Sequence, residues 1–163
     1  MADLTKEEIE RLFIYFDGNL YWRIKPSVRT NINVGDRAGS PTRKGYHYVG
    51  INKKYYSIHR SIYIMHFGSI PANLQIDHID CNKGNNRIEN LRIVTQSQNM
   101  RNASNKDKIK GVWWVKNRNK WRANISIDGV DTFIGYFNSK VEAYEAYKIT
   151  AKEIYGEFAY TGE

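Results

Sequence analysis

The chain is 163 residues long, 41% hydrophobic and 13% aromatic, with 25 Lys and Arg against 17 Asp and Glu for a formal charge of +8. That length holds one medium domain or two small ones, and the apolar fraction excludes a wholly disordered chain. The single cysteine, Cys81, excludes a disulfide framework and a multi-cysteine zinc site and fits a reducing compartment, while the basic balance points to a polyanionic partner.

No apolar run approaches the roughly 18 residues that span a bilayer. Met1 to Glu10 is of mixed charge and lacks the apolar core of a signal peptide, so the expected location is the cytoplasm. The charge is segregated: Arg23 to Arg60 carries nine bases and one acid, Lys106 to Arg122 seven bases and one acid, and Ser139 to Glu163 three bases and five acids. Two basic blocks far apart in the chain suggest two contact surfaces on one long anion. Two solvated loops give the same pattern.

In chain order, Leu4-Thr5 with Glu8 and Ile9 predicts an N-cap, a capping box and a hydrophobic staple. Ile9, Leu12, Phe13 and Phe16 then share a helical face. Gly18-Asn19 turns the chain into a strand, Leu20 to Ile24. Lys25 to Lys44 reads as a basic loop. Tyr46 to Ile51 and Tyr55 to Ser57 form a hairpin turning at Asn52-Lys53, and Ile58 to Phe67 is a helix ended by Gly68. After a polar linker, Asn102 to Asp107, come strands at Val112 to Val115 and Trp121 to Ile127 around the turn Asn117-Arg118-Asn119. Asp128-Gly129 is a hairpin turn into a third strand, Val130 to Phe137. Ser139 with Glu142 caps a last helix that runs to Tyr155 and stops at Gly156. Its apolar residues Val141, Ala143, Tyr144, Ala146, Tyr147, Ala151 and Ile154 cover one sheet face, and the face with Arg122 and Asn124 is left for a ligand. The fold class is α+β.

The chemistry-bearing segment is Ile76 to Asn102. A short strand ends in Asp77-His78-Ile79-Asp80, an asparagine-rich turn holds Asn82, Gly84, Asn85 and Asn86, and Glu89-Asn90 leads into a strand from Leu91 to Thr95 and a helix start carrying Asn99. A hairpin feeding a helix can bring Asp77, His78, Asn90 and Asn99 together. Asp77 and Asn99 offer hard oxygen ligands that suit a magnesium-like ion. An imidazole such as that of His78 can take a proton from water, with Asn90 placed to orient it by a hydrogen bond. An ordinary asparagine-rich loop carries the same residue types.

Tyr46 to Asn102 resembles the HNH endonucleases, the ββα-metal nucleases, through Ile58-His59-Arg60, Asp77-His78-Ile79-Asp80, Asn85-Asn86, Glu89-Asn90-Leu91 and Val94-Thr95 with Asn99. It most resembles their phage and intron-associated homing branch, and with the leader that includes Leu20-Tyr21-Trp22 the likeness runs from about Leu4 to Asn102. The resemblance implies that Asp77 and Asn99 hold one divalent ion, Mg2+ or Mn2+. It implies that His78 is the general base and that Asn90 supports His78 or the geometry of the site. Double-stranded DNA is the implied substrate, cut to 5′-phosphate and 3′-hydroxyl ends. Arg43, Lys44, Arg60 and His59 are the expected DNA contacts in this part. His47 is expected to face DNA, and His66 to be structural.

The C-terminal part resembles the APETALA/ethylene-response-factor DNA-binding domain through Lys110-Gly111-Val112, Lys120-Trp121, Ile134-Gly135-Tyr136-Phe137, Glu142-Ala143 with Ala146-Tyr147, and Gly156. The family's DNA-facing positions fall on Trp113, Val115, Asn124, Ser126, Asp131 and Phe133, where the residue types depart strongly from the plant pattern. Lys110, Lys116, Arg118, Lys120 and Arg122 would contact phosphates, while Trp121 and Phe137 are expected in the core. The expectation is a ββα-metal HNH nuclease domain, residues 1–104, followed by a three-stranded antiparallel sheet packed on one helix, residues 105–163. It would be a phage-encoded, free-standing homing endonuclease acting as a monomer or weak dimer with no protein partner. The rivals are a non-cleaving DNA-binding regulator and a restriction or structure-specific nuclease of the same chemistry.

Overall fold

The computed structural model describes residues 3–28, 30–102 and 110–159. The chain mixes helices and strands and divides into two compact units, Met1–Gln96 and Ser97–Glu163. The expected linker lies, from residue 103 onward, outside the described residues. Among the described residues, no helix is long and apolar enough to cross a membrane.

The first unit opens with α1, Lys6–Leu12, whose capping box is formed: the Glu8 amide donates to Thr5 Oγ1 at 3.2 Å and the Thr5 amide to Glu8 Oε2 at 2.8 Å. The helix ends four residues short of the expected Phe16. Phe13–Phe16 is instead strand β1, paired antiparallel with β2, Asn19–Trp22. The turn explains the difference. Asp17 and Gly18 both take positive φ, 45° and 76°, the combination that suits a right-twisted two-residue hairpin. The hairpin also sets Phe13 opposite Trp22, both buried, with ring centroids 4.6 Å apart. Gly18 has a second reason to lack a side chain: a Cβ there would lie 2.9 Å from the Arg87 amide nitrogen and 3.2 Å from the Asn86 carbonyl carbon. Gly18→Ala is therefore expected to lower stability by about 1–3 kcal/mol in urea unfolding.

The basic segment that follows contains a short strand, β3, Ser40–Pro41, which joins β4, His47–Ile51, and β5, Lys54–Ser57, in the order β3-β4-β5. Asn52 and Lys53 close the β4–β5 turn with φ of 47° and 63°. Helix α2, Ile58–Phe67, follows directly, and Gly68 at φ 89° ends it. The site hairpin comes next: β6, Gln75–His78, antiparallel to β7, Leu91–Val94, after which α3, Gln96–Asn102, begins the second unit. One core holds these pieces, with Ile9 and Leu12 of α1, Leu20 and Trp22 of β2, Ile58 and Ile62 of α2, Ile76 of β6 and Leu91 of β7 packed together. Each fully buried aliphatic side chain of this kind stabilises by about 1.5–3 kcal/mol. Burial of Ile76 and Leu91 anchors the site hairpin to α2.

In the second unit, β8, Val112–Val115, β9, Lys120–Ile127, and β10, Val130–Phe137, form a sheet in the order β8-β9-β10. Asp128 and Gly129 make the β9–β10 turn at φ 50° and 84°. Helix α4, Lys140–Tyr155, is capped by Ser139 Oγ, which accepts the Glu142 amide at 3.1 Å. Glu142 Oε2 in turn accepts the Asn138 amide at 3.2 Å, one residue earlier than a standard box. Ala143, Tyr147 and Ala151 recur every fourth residue and are buried, with Tyr147 and Ala151 against Ile125. Val141 and Ile154 were expected against the sheet, but they are 70% and 40% exposed. Val141 lies about half a turn away from that stripe at 100° per residue, and Ile154 sits in the last helical turn. Trp121 and Phe137 are half-buried.

Candidate active site

Strand β6 ends in two buried polar residues, Asp77 at 8% and His78 at 4% exposure. Buried polar side chains must be satisfied by partners, and here each has one. Asp77 pairs across the hairpin with Arg92, its register partner, whose Nε and Nη2 donate to Oδ2 at 3.1 and 3.0 Å. His78 Nε2 lies 3.0 Å from Oδ1 of Asn86, which is 2% exposed. Asn86 thus makes the hydrogen bond to the imidazole that was expected of Asn90.

Asn90 has a different task. Its Oδ1 accepts the Asp80 amide at 3.1 Å, and its Nδ2 donates to Asp80 Oδ1 at 2.9 Å and to the Asn85 carbonyl at 2.8 Å. Asp80 also accepts the Asn82 amide at 2.8 Å and Asn85 Nδ2 at 2.7 Å. Burial alone would raise the Asp80 pKa, but the bonds from Asn85, Asn90 and the Asn82 backbone carry it below the ordinary carboxylate value. The asparagine-rich turn is a network closed on one ionised carboxylate, and it fixes the chain on both sides of Asn86.

Three rings gather beside the hairpin. His59 stands edge-on to His78 with centroids 5.1 Å apart, and Tyr46 lies 5.3 Å from His59 and 6.1 Å from His78. Lys83 Nζ sits 4.8 Å above the Tyr46 ring. Burial raises the Tyr46 pKa, so its hydroxyl keeps its proton at neutral pH. Ser57 stands at the N-cap of α2, but its hydroxyl is within 2.9 Å of His59 Nδ1 and makes no cap bond. His59 was expected at a phosphate or at the site. Only 7% of it is exposed, so it stands behind His78 rather than on the surface.

Burial, helped by the charges of His78 and Arg60 and opposed by Asp3, lowers the His59 pKa from 6.5 to about 3. The folded ring is therefore neutral, while the unfolded ring protonates below about 6.5. Stability is full above that pH and falls as pH drops towards 3, because the unfolded chain binds a proton that the fold refuses. The loss should be about 2 kcal/mol at pH 5, at about 1.4 kcal/mol per pH unit. Urea unfolding from pH 7 to 4.5 is expected to show this slope, and His59→Gln to flatten it.

The other expected contacts are placed as follows. Arg43 and Lys44 are exposed on the β3–β4 turn. Arg60 is forked onto Asp3, at 2.9 and 2.5 Å, so its guanidinium already serves an ion pair inside the first unit. His47 is half-buried: its Nδ1 is enclosed without a hydrogen-bond partner, and burial lowers its pKa. His66 Nδ1 bonds the Ile62 carbonyl at 2.9 Å.

In the second unit, Trp113, Lys116, Arg118 and Ser126 are exposed. Arg122 lies 5.5 Å from the Trp113 ring and 5.1 Å from Phe133, and Arg118 lies 4.8 Å from Tyr136. Lys110 Nζ donates to the Met100 carbonyl at 3.2 Å and Lys120 Nζ to Asn138 Oδ1 at 2.5 Å. Asn124, expected to face DNA, is buried and accepts from Arg122 Nε at 2.8 Å. It fixes the guanidinium rather than presenting its own amide. Asn99 lies on α3, within the second unit.

Residues 56–101 match a family model described as HNH endonuclease. An uncharacterized HNH endonuclease of Acanthamoeba polyphaga mimivirus is 37% identical over 103 residues, covering 63% of this chain and 54% of that protein. Protein 3.8 of Escherichia phage T7 is 34% identical over 98 residues, covering 56% of this chain and 78% of its own length. The chain belongs to the HNH endonuclease family. The DNA endonuclease I-HmuI of Bacillus phage SP01 is also similar, 35% identical over 98 residues, which cover 55% of this chain and 56% of that enzyme. The chain spans about half the length of the mimivirus and SP01 relatives. No solved structure matches it significantly. The HNH match runs from the end of β5 through α2, β6 and β7 into α3, so it contains His59, Asp77, His78, Asn86, Asn90 and Asn99.

The HNH family implies a divalent cation, and the donor chemistry decides which kind fits. Among the described residues no three His, Cys, Asp or Glu side chains converge, so none of these residues forms an all-protein cage of the zinc type. A hard ion that takes one or two protein oxygens and fills its shell with water and phosphate fits this set. Asp77 supplies a carboxylate oxygen set of this kind, and Arg92 contacts the same carboxylate at Oδ2.

Proposed function

We propose that this protein is a metal-dependent, site-specific DNA endonuclease of the homing type, hydrolysing phosphodiesters to 5′-phosphate and 3′-hydroxyl ends. One observation carries the reading: a buried, hydrogen-bonded His78 directly follows a buried carboxylate inside the HNH match. Asp77 and Asn99 would hold the divalent ion, Mg2+ or Mn2+. When bound, that ion supplies positive charge to the scissile phosphate and the leaving 3′ oxygen. His78 takes a proton from the attacking water. Asn90 contributes by locking the turn around Asp80.

In this reading residues 1–104 cut and residues 105–163 provide affinity and address, as an ethylene-response-factor-like sheet. A small catalytic hairpin offers little surface for reading sequence, and a tethered second binder raises its effective concentration on DNA. Arg122, sandwiched between Trp113 and Phe133, presents the mixed cationic and aromatic surface that suits a nucleic acid. Lys110, Lys116, Arg118 and Lys120 would add phosphate contacts, with Arg43 and Lys44 serving the first unit. The phage relatives support a phage-encoded enzyme that works in the cytoplasm of a bacterial host. It would act as a monomer or weak dimer.

Incubating supercoiled plasmid with the protein and Mg2+ or Mn2+ tests the activity, with nicked or linear product expected. Intact plasmid with DNA binding retained would replace this reading with that of a non-cleaving regulator. Arg118→Ala is expected to make the slope of log affinity against log salt shallower by about 0.9, the value for one lost phosphate contact. Titrations at several salt concentrations measure it.

A further inference from the structure

We propose that Asn86 is the positioning residue for His78, held in place by the β1–β2 hairpin. A neutral imidazole has one donor nitrogen and one acceptor. The Asn86 carboxamide oxygen lies 3.0 Å from Nε2, so Nε2 carries the hydrogen and the lone pair resides on Nδ1. Both side chains are buried, where a mispaired donor or acceptor is costly, so this arrangement is strongly preferred.

The backbone around Asn86 is clamped from two directions. On one side, Asn85 is held by Asn90, whose Nδ2 donates to its carbonyl at 2.8 Å. On the other, Arg87 is paired with Asp17 at 2.7 and 3.0 Å, and the Ile88 amide donates to the Tyr15 hydroxyl at 3.1 Å. Asp17 and Tyr15 belong to the hairpin whose turn glycine packs against the Asn86–Arg87 peptide. That hairpin lies outside the HNH match at residues 56–101, yet it sets where the imidazole's partner stands.

The kinetic part rests on the nuclease reading; the spectroscopic part does not. The full chain, selectively 15N-labelled at histidine, is observed by NMR at neutral pH as wild type, Asn86→Leu and Asn86→Asp. The wild type is expected to show His78 with a slowly exchanging Nε2 proton and an unprotonated Nδ1. Asn86→Leu fills the same space without an acceptor and should lose that protected proton, while Asn86→Asp should keep it. In single-turnover cleavage at saturating DNA, Asn86→Leu is expected to be slowed about 10–100-fold with DNA affinity unchanged, by analogy with a metal-bound histidine that loses its orienting partner. Asn86→Asp should recover most of that loss. A wild-type His78 protonated on Nδ1 overturns the assignment whatever the variants' stability, and so does an Asn86→Leu protein that keeps both the protected proton and the rate. A wild type that shows the protected Nε2 proton but cuts no DNA leaves the positioning role standing and removes the nuclease reading.

Discussion

His78→Ala is expected to slow DNA cleavage by about 10²–10⁴-fold, the range a general base contributes. That corresponds to about 3–5 kcal/mol of lost transition-state stabilisation. The same change should leave DNA binding intact, because the ring is 4% exposed and presents almost no surface to a ligand. Its structural effect is also foreseeable. Asn86 Oδ1 loses its partner and the edge-on contact with His59 disappears, which costs about 1–3 kcal/mol for a buried polar atom left unsatisfied. The fold therefore loosens while the chemistry stops, and the two must be measured separately. Single-turnover rates with protein in excess over a cleavable duplex, below the variant's unfolding temperature, isolate the chemical step. Equal rates for variant and wild type would remove His78 as the base.

What could be read from the sequence was local. The Asn52-Lys53 and Asp128-Gly129 turns, the stop of α2 at Gly68 and the span of β10 all follow from residues a few positions apart, and the structure places them as expected. The end of α1 does not. Ile9, Leu12, Phe13 and Phe16 keep a helical period, but Phe13 gains more by facing Trp22 across a hairpin, and Phe16 is left exposed. Periodicity cannot weigh a partner nine residues away.

The site divides along the same line. Asp77 and His78 stand out because a carboxylate beside an imidazole ends an apolar strand. Asn86 does not stand out, since nothing in an asparagine-rich turn says which amide faces inward. That choice is made by Asp17, Tyr15 and Gly18, about seventy residues upstream. The ion pair of Arg60 was hidden for a related reason: a base in a basic block reads as a phosphate contact, while its partner Asp3 lies 57 residues away.

The second large effect is expected at Asp77. Asp77→Ala should abolish cleavage and also destabilise the protein, by about 3–5 kcal/mol, because it strands a nearly buried guanidinium without its counter-charge. A loss of activity in that variant alone is ambiguous, since a loosened hairpin would also misplace His78. Removing both partners separates the causes. In Asp77→Ala/Arg92→Leu no buried charge remains, and replacing an ion pair by apolar side chains of similar volume is often neutral or stabilising. Most of the lost stability should return while cleavage stays absent. Electrostatics gives the reason for the second half. With Arg92 already on Oδ2, a divalent ion at Asp77 shares the carboxylate with another cation, and the excess positive charge is reduced only when a DNA phosphate arrives. Ion binding should therefore be weak on the free protein and tighten with DNA, and without the carboxylate neither phase survives. Urea unfolding and single-turnover cleavage of wild type, both single variants and the double variant form the cycle that reads this coupling. Recovery of cleavage in the double variant would make the Asp77 carboxylate a structural partner of Arg92 and end its assignment as a metal ligand.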